Sequence, residues 1–188
     1  PSGGGGGPSA ASGGGGSSGG SSAGGAPAPG SVGPIALAPG AGAVQFLNDG
    51  ERRGGAQFGD PTKAYDGSAA RAWDASVPAD GQEFGLGLAF GLERARDVRS
   101  VTLDLDGRQG FSVEVFGSSN SAVPPDMLDR RWKKIGSDAN VSDGERISLK
   151  SDGRTRHLLV RITEAPALTG EDAGRTGVSI AEVRLRGR

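Results

Sequence analysis

Few side chains of this sequence are suited to catalysis or to binding a transition metal. The chain of 188 residues contains no cysteine and one histidine, His157. Thiolate zinc clusters, disulfides and cysteine nucleophiles are therefore excluded. A Ser-His-Asp triad needs its histidine at a defined position, whereas His157 opens the apolar run 157–162. We interpret His157 as a strand residue.

Carboxylates are the other groups that could do chemistry, because a pair of them suffices for glycoside hydrolysis. The candidates are Asp104, Asp106, Asp126 and Asp129. Most of them adjoin Gly, Pro or Arg, so we interpret them as turn formers or solvated faces. An enzyme that uses Asp126 or Glu171 with His157 is the least favoured alternative.

Charge and motifs exclude further classes of protein. The chain has 21 basic and 22 acidic residues and a net charge of −1, which argues against binding to nucleic acid. No nucleophile elbow, phosphate-binding loop or dinucleotide fingerprint occurs. No apolar run reaches the roughly 18 residues that a membrane-spanning helix requires. We predict a protein that is not an enzyme.

The elements that position these groups begin after a long segment of low complexity. Residues 1–30 consist only of Gly, Ser, Ala and Pro, a composition that cannot bury enough apolar surface to become ordered. We predict a disordered linker over residues 1–42 and one domain over residues 43–188. A linker holds two parts together, so we expect this chain to be the C-terminal part of a larger, membrane-anchored protein.

Beyond residue 43, apolar residues recur with the period of two that is typical of half-buried strands. The predicted strands are Phe84–Phe90, Val98–Leu105, Phe111–Val115, Trp132–Ile135, Arg146–Leu149, His157–Thr163 and Gly177–Leu185. Seven or eight short antiparallel strands separated by turn residues predict an all-β sandwich. Because the alternation is one-sided, we expect each sheet to have one solvated face and one buried face.

One segment is more specific than composition. The run Ala64–Trp73 contains Asp66, Gly67 and Trp73, and it resembles the Asp-Gly-x-x-x-Thr-x-Trp stretch of discoidin-like domains. These are also called galactose-binding-like or coagulation-factor type C domains. The resemblance covers residues 43–188 and implies a jelly-roll β-sandwich that binds glycans, lipids or proteins without catalysis. The sequence also resembles the extracytoplasmic C-terminal module of actinobacterial membrane proteins with a kinase-like domain or a peptidoglycan lipid flippase.

The resemblance also implies a candidate calcium site, because the loop after Asp-Gly holds that ion in many family members. Asp66, Ser68 and Glu182 are the candidate ligands here. Arg71 stands where the family has threonine, and a guanidinium cannot donate an oxygen to calcium. In the alternative without metal, Asp66 and Gly67 shape a turn and Trp73 fills the core. We predict no other cofactor.

A recognition module of this kind binds through loops that a rigid sandwich holds in place. The candidate loops are Asp74–Glu83, Gly117–Arg131 and Ala165–Arg175. The expected ligand is a glycan, a cell-wall precursor or a protein, outside the bacterial membrane. A glycan site would need an exposed aromatic ring, and we expect the nearest candidates, Trp132 and Phe84, to lie in the core.

The runner-up function is docking to a membrane surface or a protein through apolar and basic loop tips. Met127 and Leu128 are flanked by Arg130, Arg131, Lys133 and Lys134, a pattern that could contact an anionic surface. In the structural alternative, Leu128 packs back on the sheet and the basic residues form a solvated face.

Overall fold

Eleven β-strands account for most of the regular structure in the residues that the computed structural model describes, 31–38, 42–45 and 53–188. The strands are β1 Gly33–Ile35, β2 Gly42–Gln45, β3 Gln57–Phe58, β4 Trp73–Pro78, β5 Leu86–Arg96, β6 Val98–Leu105, β7 Phe111–Ser118, β8 Lys133–Val141, β9 Glu145–Ser148, β10 Thr155–Glu164 and β11 Arg175–Gly187. Two short 3₁₀ turns, Pro61–Ala64 and Gly170–Asp172, complete the set for these residues.

The strands form two antiparallel sheets. The first sheet has the order β3-β4-β11-β6-β9, with β1 paired to the end of β11, and the second has the order β2-β5-β10-β7-β8. Every neighbouring pair is antiparallel, and most neighbours are distant in sequence. Buried side chains from both sheets form one core cluster. The predicted all-β sandwich is confirmed.

All seven strands predicted from the period of two are present, as β5 to β11. The four strands nearest the N-terminus were not predicted. β4 buries Trp73, Ala75 and Val77 at alternate positions. Its polar residues and its final proline leave too short an apolar alternation to indicate a strand. The other three have two to four residues each, which is too short to show a period.

Strand β1 lies inside the range predicted to be linker. Residues 33–35 pair with residues 185–187 of β11, and the half-buried Ile35 and Leu37 pack against the core. The run Pro34–Leu37 therefore adds apolar surface to the sandwich before the predicted boundary at residue 43. Residues 1–30 are outside the described residues.

The core confirms the predicted role of the aromatic residues. Trp73 and Phe84 are buried between the sheets. Trp132 is also buried, but it belongs to a second, smaller cluster with Ala89, Met127 and Leu159. Burying an aromatic ring of this size removes on the order of 200 Å² from water, so none of these three rings is offered to a ligand.

The second cluster corrects the expectation that each sheet has one solvated face. Leu158, Leu159 and Val160 are consecutive and all buried, so β10 is covered on both faces at this point. The 119–132 loop supplies the cover through Met127 and Trp132. The Trp132 Nε1 donates to the Asp126 carbonyl oxygen at 2.9 Å, which closes the loop on itself.

The topology places the loops at two ends of the sandwich. β10 pairs with Ser118 near its first residue and with Ser112 at its last. The loop 165–174 that follows β10 therefore lies at one end, and the 119–132 loop that follows β7 lies at the other. Loop 79–85 is at the 165–174 end, because the Ala79 N–H donates to the Gly174 carbonyl oxygen at 2.9 Å. Loop 106–110 is at the same end, because the Asp106 N–H donates to the carbonyl oxygen of Ser179, near the start of β11.

Candidate functional site

Two of the three predicted recognition loops meet at the 165–174 end. The first is shorter than predicted, because β4 continues to Pro78, and it occupies residues 79–85. It contacts loop 165–174. The third predicted loop, 117–131, lies at the opposite end, so it cannot contribute to the same site.

A buried guanidinium fixes loop 79–85. The Arg53 side chain is 2% exposed, and its Nη2 lies 2.6 Å from Asp80 Oδ1. The same nitrogen donates to the Pro78 carbonyl oxygen at 3.1 Å. Hydrogen bonds from Arg53 and from the Gln82 N–H hold the pKa of the Asp80 carboxyl below its ordinary value. The loop is therefore tied to the framework by a charge-assisted network.

A second arginine, Arg175 of β11, connects this strand to β4 and to the segment before β3. Arg175 Nε donates to Ser76 Oγ at 2.9 Å, and its Nη2 donates to the Gly55 carbonyl oxygen at 2.9 Å. The Leu168 N–H donates to the Arg175 carbonyl oxygen at 2.8 Å, which anchors loop 165–174 to the same residue. The strands and loops around this end thus form one preorganised surface.

A groove with a volume of about 260 Å³ runs beside these anchors. It is lined by Gln57, Phe58, Gly59, Asp74, Ala75, Ser76, Arg108, Leu168 and Asp172, and we call it the Phe58 groove. Phe58 is 42% exposed, which is unusual for a phenylalanine. An adjoining depression of about 320 Å³ shares Arg108, Leu168 and Asp172 with it, so the two form a continuous surface.

The Phe58 groove combines an aromatic ring with charged groups. Arg108 Nη1 lies 3.5 Å from Asp74 Oδ1 and 3.4 Å from the Val178 carbonyl oxygen. Asp172 is exposed and lines the same groove. An apolar face flanked by a few polar groups of fixed position is suited to a ligand with both apolar and hydroxyl-rich faces.

A third depression at the same end is less suited to such a ligand. It has a volume of about 540 Å³ and is lined in part by Glu83, Phe84 and Glu164. Phe84 is buried in the core, and Glu83 is engaged by Arg161. This depression therefore offers no exposed ring among the described residues that line it.

Sequence reasoning missed Phe58. The strand β3 has two residues, and it stands between Gly54, Gly55 and Gly59, so no period identifies it. The available signal was an aromatic residue flanked by glycines, which predicts a ring that is not inside a regular strand. Arg108 and Asp172 join Phe58 only through the sheet register and the loop packing.

The candidate calcium residues do lie together, beside β11. The Gly67 N–H donates to Glu182 Oε2 at 2.9 Å, and the Ser68 N–H donates to Asp66 Oδ1 at 2.9 Å. Burial, with the nearby carboxylates of Asp66 and Asp104, raises the pKa of the Glu182 carboxyl.

This arrangement does not fit a calcium ion. Calcium takes six to eight oxygen ligands. Here Arg71 Nη2 already pairs with Asp66 Oδ2 at 2.9 Å, and the Gly67 N–H donates to Glu182 Oε2. The described residues contain no group of three or more His, Asp or Glu side chains able to hold a metal. The guanidinium supplies the positive charge that the loop carboxylate needs.

In the described residues, neither carboxylate of the enzyme alternative is hydrogen-bonded to His157. His157 Nε2 lies 3.2 Å from the Ser121 carbonyl oxygen, at the 119–132 end. Asp126 is at that end too, where its carboxylate accepts the Leu128 N–H at 2.8 Å in a turn. Glu171 lies in loop 165–174, at the opposite end of the sandwich.

Of the two apolar residues of the membrane-docking alternative, one is buried and cannot contact a membrane surface. Met127 is buried under Trp132, and Leu128 is 40% exposed, so Met127 rather than Leu128 packs back on the sheet. Arg131 pairs with Asp129 at 2.6 Å and Lys134 with Glu114 at 2.7 Å. The hydrogen bond from Arg131 lowers the pKa of Asp129 to about 2.

The two sheets and the shared core make this chain an all-β sandwich domain. Several of the solved structures similar to it are carbohydrate-binding modules of galactose-binding-like fold. No protein-family profile matches the sequence, and no curated protein is similar to it in sequence. No helix of the described residues is long and apolar enough to cross a membrane.

Chitosan-binding module 1 of a chitosanase/glucanase from Paenibacillus sp. IK-5 is 18% identical, with a TM-score of 0.56 over 82% of this chain and 98% of that one. Module 2 of the same enzyme, in complex with chitotriose, is 16% identical, with a TM-score of 0.54 over 78% and 94%. A pectin-binding module is 11% identical, with a TM-score of 0.50 over 80% and 91%. This chain spans 14% of the length of a family 89 glycoside hydrolase from Clostridium perfringens, at 14% identity and a TM-score of 0.47 over 80% of this chain. The likenesses to the three binding modules support the sandwich fold.

Proposed function

We propose that this chain is a non-catalytic module that recognises a glycan through the Phe58 groove. The observation that carries the proposal is the exposed Phe58 ring beside Asp74, Arg108 and Asp172. These residues lie on β3, on β4 and on the loops 106–110 and 165–174, and the second loop is anchored to Arg175. A sugar ring has an apolar face that packs on an aromatic ring, and its hydroxyls pair with carboxylate and guanidinium groups. The fold shared with carbohydrate-binding modules supports the same function.

The charges of the groove favour neutral or amino sugars. Asp74 and Asp172 provide two exposed carboxylates, and Arg108 already faces Asp74. A polyanionic glycan would meet repulsion there, whereas a sugar ammonium or hydroxyl would gain a charge-assisted hydrogen bond. Chitotriose, which the similar module 2 binds, is therefore the first probe, followed by fragments of peptidoglycan.

The test is the affinity of the Phe58→Ala variant for chitotriose, measured by isothermal titration calorimetry. We expect a loss of at least about tenfold, because truncation of an aromatic anchor removes more than about 1.4 kcal/mol. Val123→Ala is the matched control. Val123 is 49% exposed and lies in the 119–132 loop, at the opposite end, so its truncation leaves the affinity unchanged.

Equal affinities of the two variants would place the site elsewhere on the molecule. Failure of chitotriose and of peptidoglycan fragments to bind the unmodified chain would contradict glycan recognition at this groove. Both variants truncate an exposed side chain, so their melting temperatures should match that of the unmodified chain.

We propose further that the loop at Asp66 closes without calcium, through Arg71. The melting temperature should then be the same in millimolar calcium and in excess chelator, because an ion that does not bind the native state cannot stabilise it. Arg71→Thr is the informative variant, since it restores the family residue and releases Asp66. A calcium-dependent rise in the melting temperature of the unmodified chain would overturn the proposal.

The place of the module in the cell follows from the linker expected over the first residues. We propose that a flexible tether displays the domain on the outer face of the membrane, as part of a membrane-anchored parent that is related to cell-wall synthesis or carries a kinase-like domain. Protease protection of the domain in intact cells, lost after permeabilisation, would contradict this location.

A further inference from the structure

A second groove lies on the face of the first sheet, away from the Phe58 groove. It has a volume of about 480 Å³ and is lined in part by Tyr65, Thr102, Arg146, Glu182, Arg184 and Arg186. β4 pairs with β11 as far as Ile180, and β1 pairs with it from Leu185. The groove opens beside β11 at this change of partner strand. We call it the arginine groove.

Strand register arranges the basic residues in a row. Arg184 of β11 faces Thr102 of β6, and Thr102 faces Arg146 of β9. Neighbouring strands are about 4.8 Å apart, so the two arginines stand about 10 Å apart on one face with a hydroxyl between them. Arg186 is two residues further along β11 and points to the same face.

The groove is polarised from one end to the other. Arg184 Nη2 pairs with Asp104 Oδ1 at 2.5 Å, which orients the guanidinium and uses part of its five N–H donors. Arg186 Nη2 donates to the Val32 carbonyl oxygen at 3.5 Å. Glu182 lies at the other end of the lining, beside the Asp66 loop. The arginines thus form a basic end, and the Glu182 carboxylate forms an acidic end.

An aromatic ring borders the groove. Tyr65 is half-buried, and its ring packs edge to face against Phe90 with the centroids 6.0 Å apart. Its position is therefore fixed by the core. The groove combines a fixed ring, guanidinium groups and a carboxylate in a volume that suits a small ligand.

We infer that the arginine groove binds a carboxylate-bearing sugar, such as a hexuronic acid residue of an acidic glycan. Guanidinium groups recognise planar carboxylates through paired hydrogen bonds, and Arg146 and Arg184 present two of them. The Thr102 hydroxyl and the Glu182 carboxylate pair with ring hydroxyls, and Tyr65 packs against the sugar face. This site is independent of the Phe58 groove, whose carboxylates oppose an acidic sugar.

The experiment measures binding of trigalacturonate to the full chain by isothermal titration calorimetry in low salt. Arg146→Gln removes one guanidinium at an exposed position and should weaken binding at least about tenfold. Arg156→Gln is the matched control, because Arg156 is an exposed arginine on β10 of the other sheet. It removes the same charge and should change affinity by less than about twofold.

Further arms separate specific binding from general attraction. The neutral trisaccharide maltotriose should not compete, and Phe58→Ala should leave trigalacturonate binding intact. Shifts of the Tyr65 and Thr102 amide signals in a nuclear magnetic resonance titration would locate the sugar. Equal losses in the two arginine variants, competition by maltotriose, or signals that move only at the 165–174 end would overturn the inference.

A phosphorylated sugar is the other source of a negative charge, and glucose 6-phosphate tests it. We expect it to bind more weakly than galacturonate, because the flat row of two arginines matches a planar carboxylate. Tighter binding of the phosphate in an Arg146-dependent manner would replace the carboxylate assignment. Arg146→Gln should still bind chitotriose, because Arg146 is not part of the Phe58 groove. If it does, a failure of trigalacturonate to bind contradicts only the arginine groove and not the proposed function.

Discussion

The two tryptophans differ in the hydrogen bonding of their indole nitrogens. Trp73 is fully buried between the sheets, and its Nε1 has no hydrogen-bond partner in the described part of the chain. Trp132 is buried on the outer face of the second sheet and donates to the Asp126 carbonyl oxygen. The first ring therefore contributes through packing alone, whereas the second also holds a loop.

This difference predicts how much substitutions of the two tryptophans destabilise the protein. Trp73→Ala should lower the free energy of unfolding by about 3–5 kcal/mol, because it leaves a cavity in the core. Trp73→Phe should lower the free energy of unfolding by less, since it keeps most of the apolar volume and removes a buried N–H that has no acceptor.

Trp132→Phe loses a hydrogen bond and should loosen the 119–132 loop. Urea unfolding and limited proteolysis measure the two effects, and a near-neutral Trp73→Ala would contradict the packing role.

At the scale of elements, the sequence predicts the strands that alternate and misses those that are short. β6 and β7 carry three or more apolar residues at period two, which the burial of one strand face requires. β3 has two residues, so its existence depends on pairing with β4. The Phe58 groove could not be predicted for the same reason. Its members come from β3, β4 and two loops, and only long-range register brings them together.

Strand β1 gives a prediction at this scale. A chain that begins at Ser31 should melt at the temperature of the full chain, because the composition of residues 1–30 offers nothing to bury. A chain that begins at Gly42 loses the pairing of β1 with β11 and the contacts of Ile35 and Leu37. Its melting temperature should fall by roughly 5–10 °C. Equal melting temperatures for the two chains, measured by calorimetry, would show that β1 does not contribute to the stability of the sandwich.

At the scale of the whole molecule, the surfaces are separated by charge and position. The Phe58 groove is at the 165–174 end, the arginine groove is on the face of the first sheet, and the exposed Leu128 and Val123 are at the 119–132 end. On the proposed function and the inferred acidic-sugar site together, the domain would hold a neutral and an acidic part of one glycan in the two grooves. Two such contacts in one molecule raise the overall affinity through a high effective concentration.

The 119–132 end tests the membrane alternative. We expect no sedimentation of the chain with phosphatidylserine vesicles even in low salt, because Met127 is buried and Arg131 and Lys134 are paired with Asp129 and Glu114. The net charge of −1 also gives no general attraction to an anionic surface. A double variant, Asp129→Asn with Glu114→Gln, releases both basic residues and should gain weak binding that salt abolishes, at about 1 kcal/mol per charge near the surface. Binding of the unmodified chain that is lost in Leu128→Ser would instead establish this end as a membrane-docking surface.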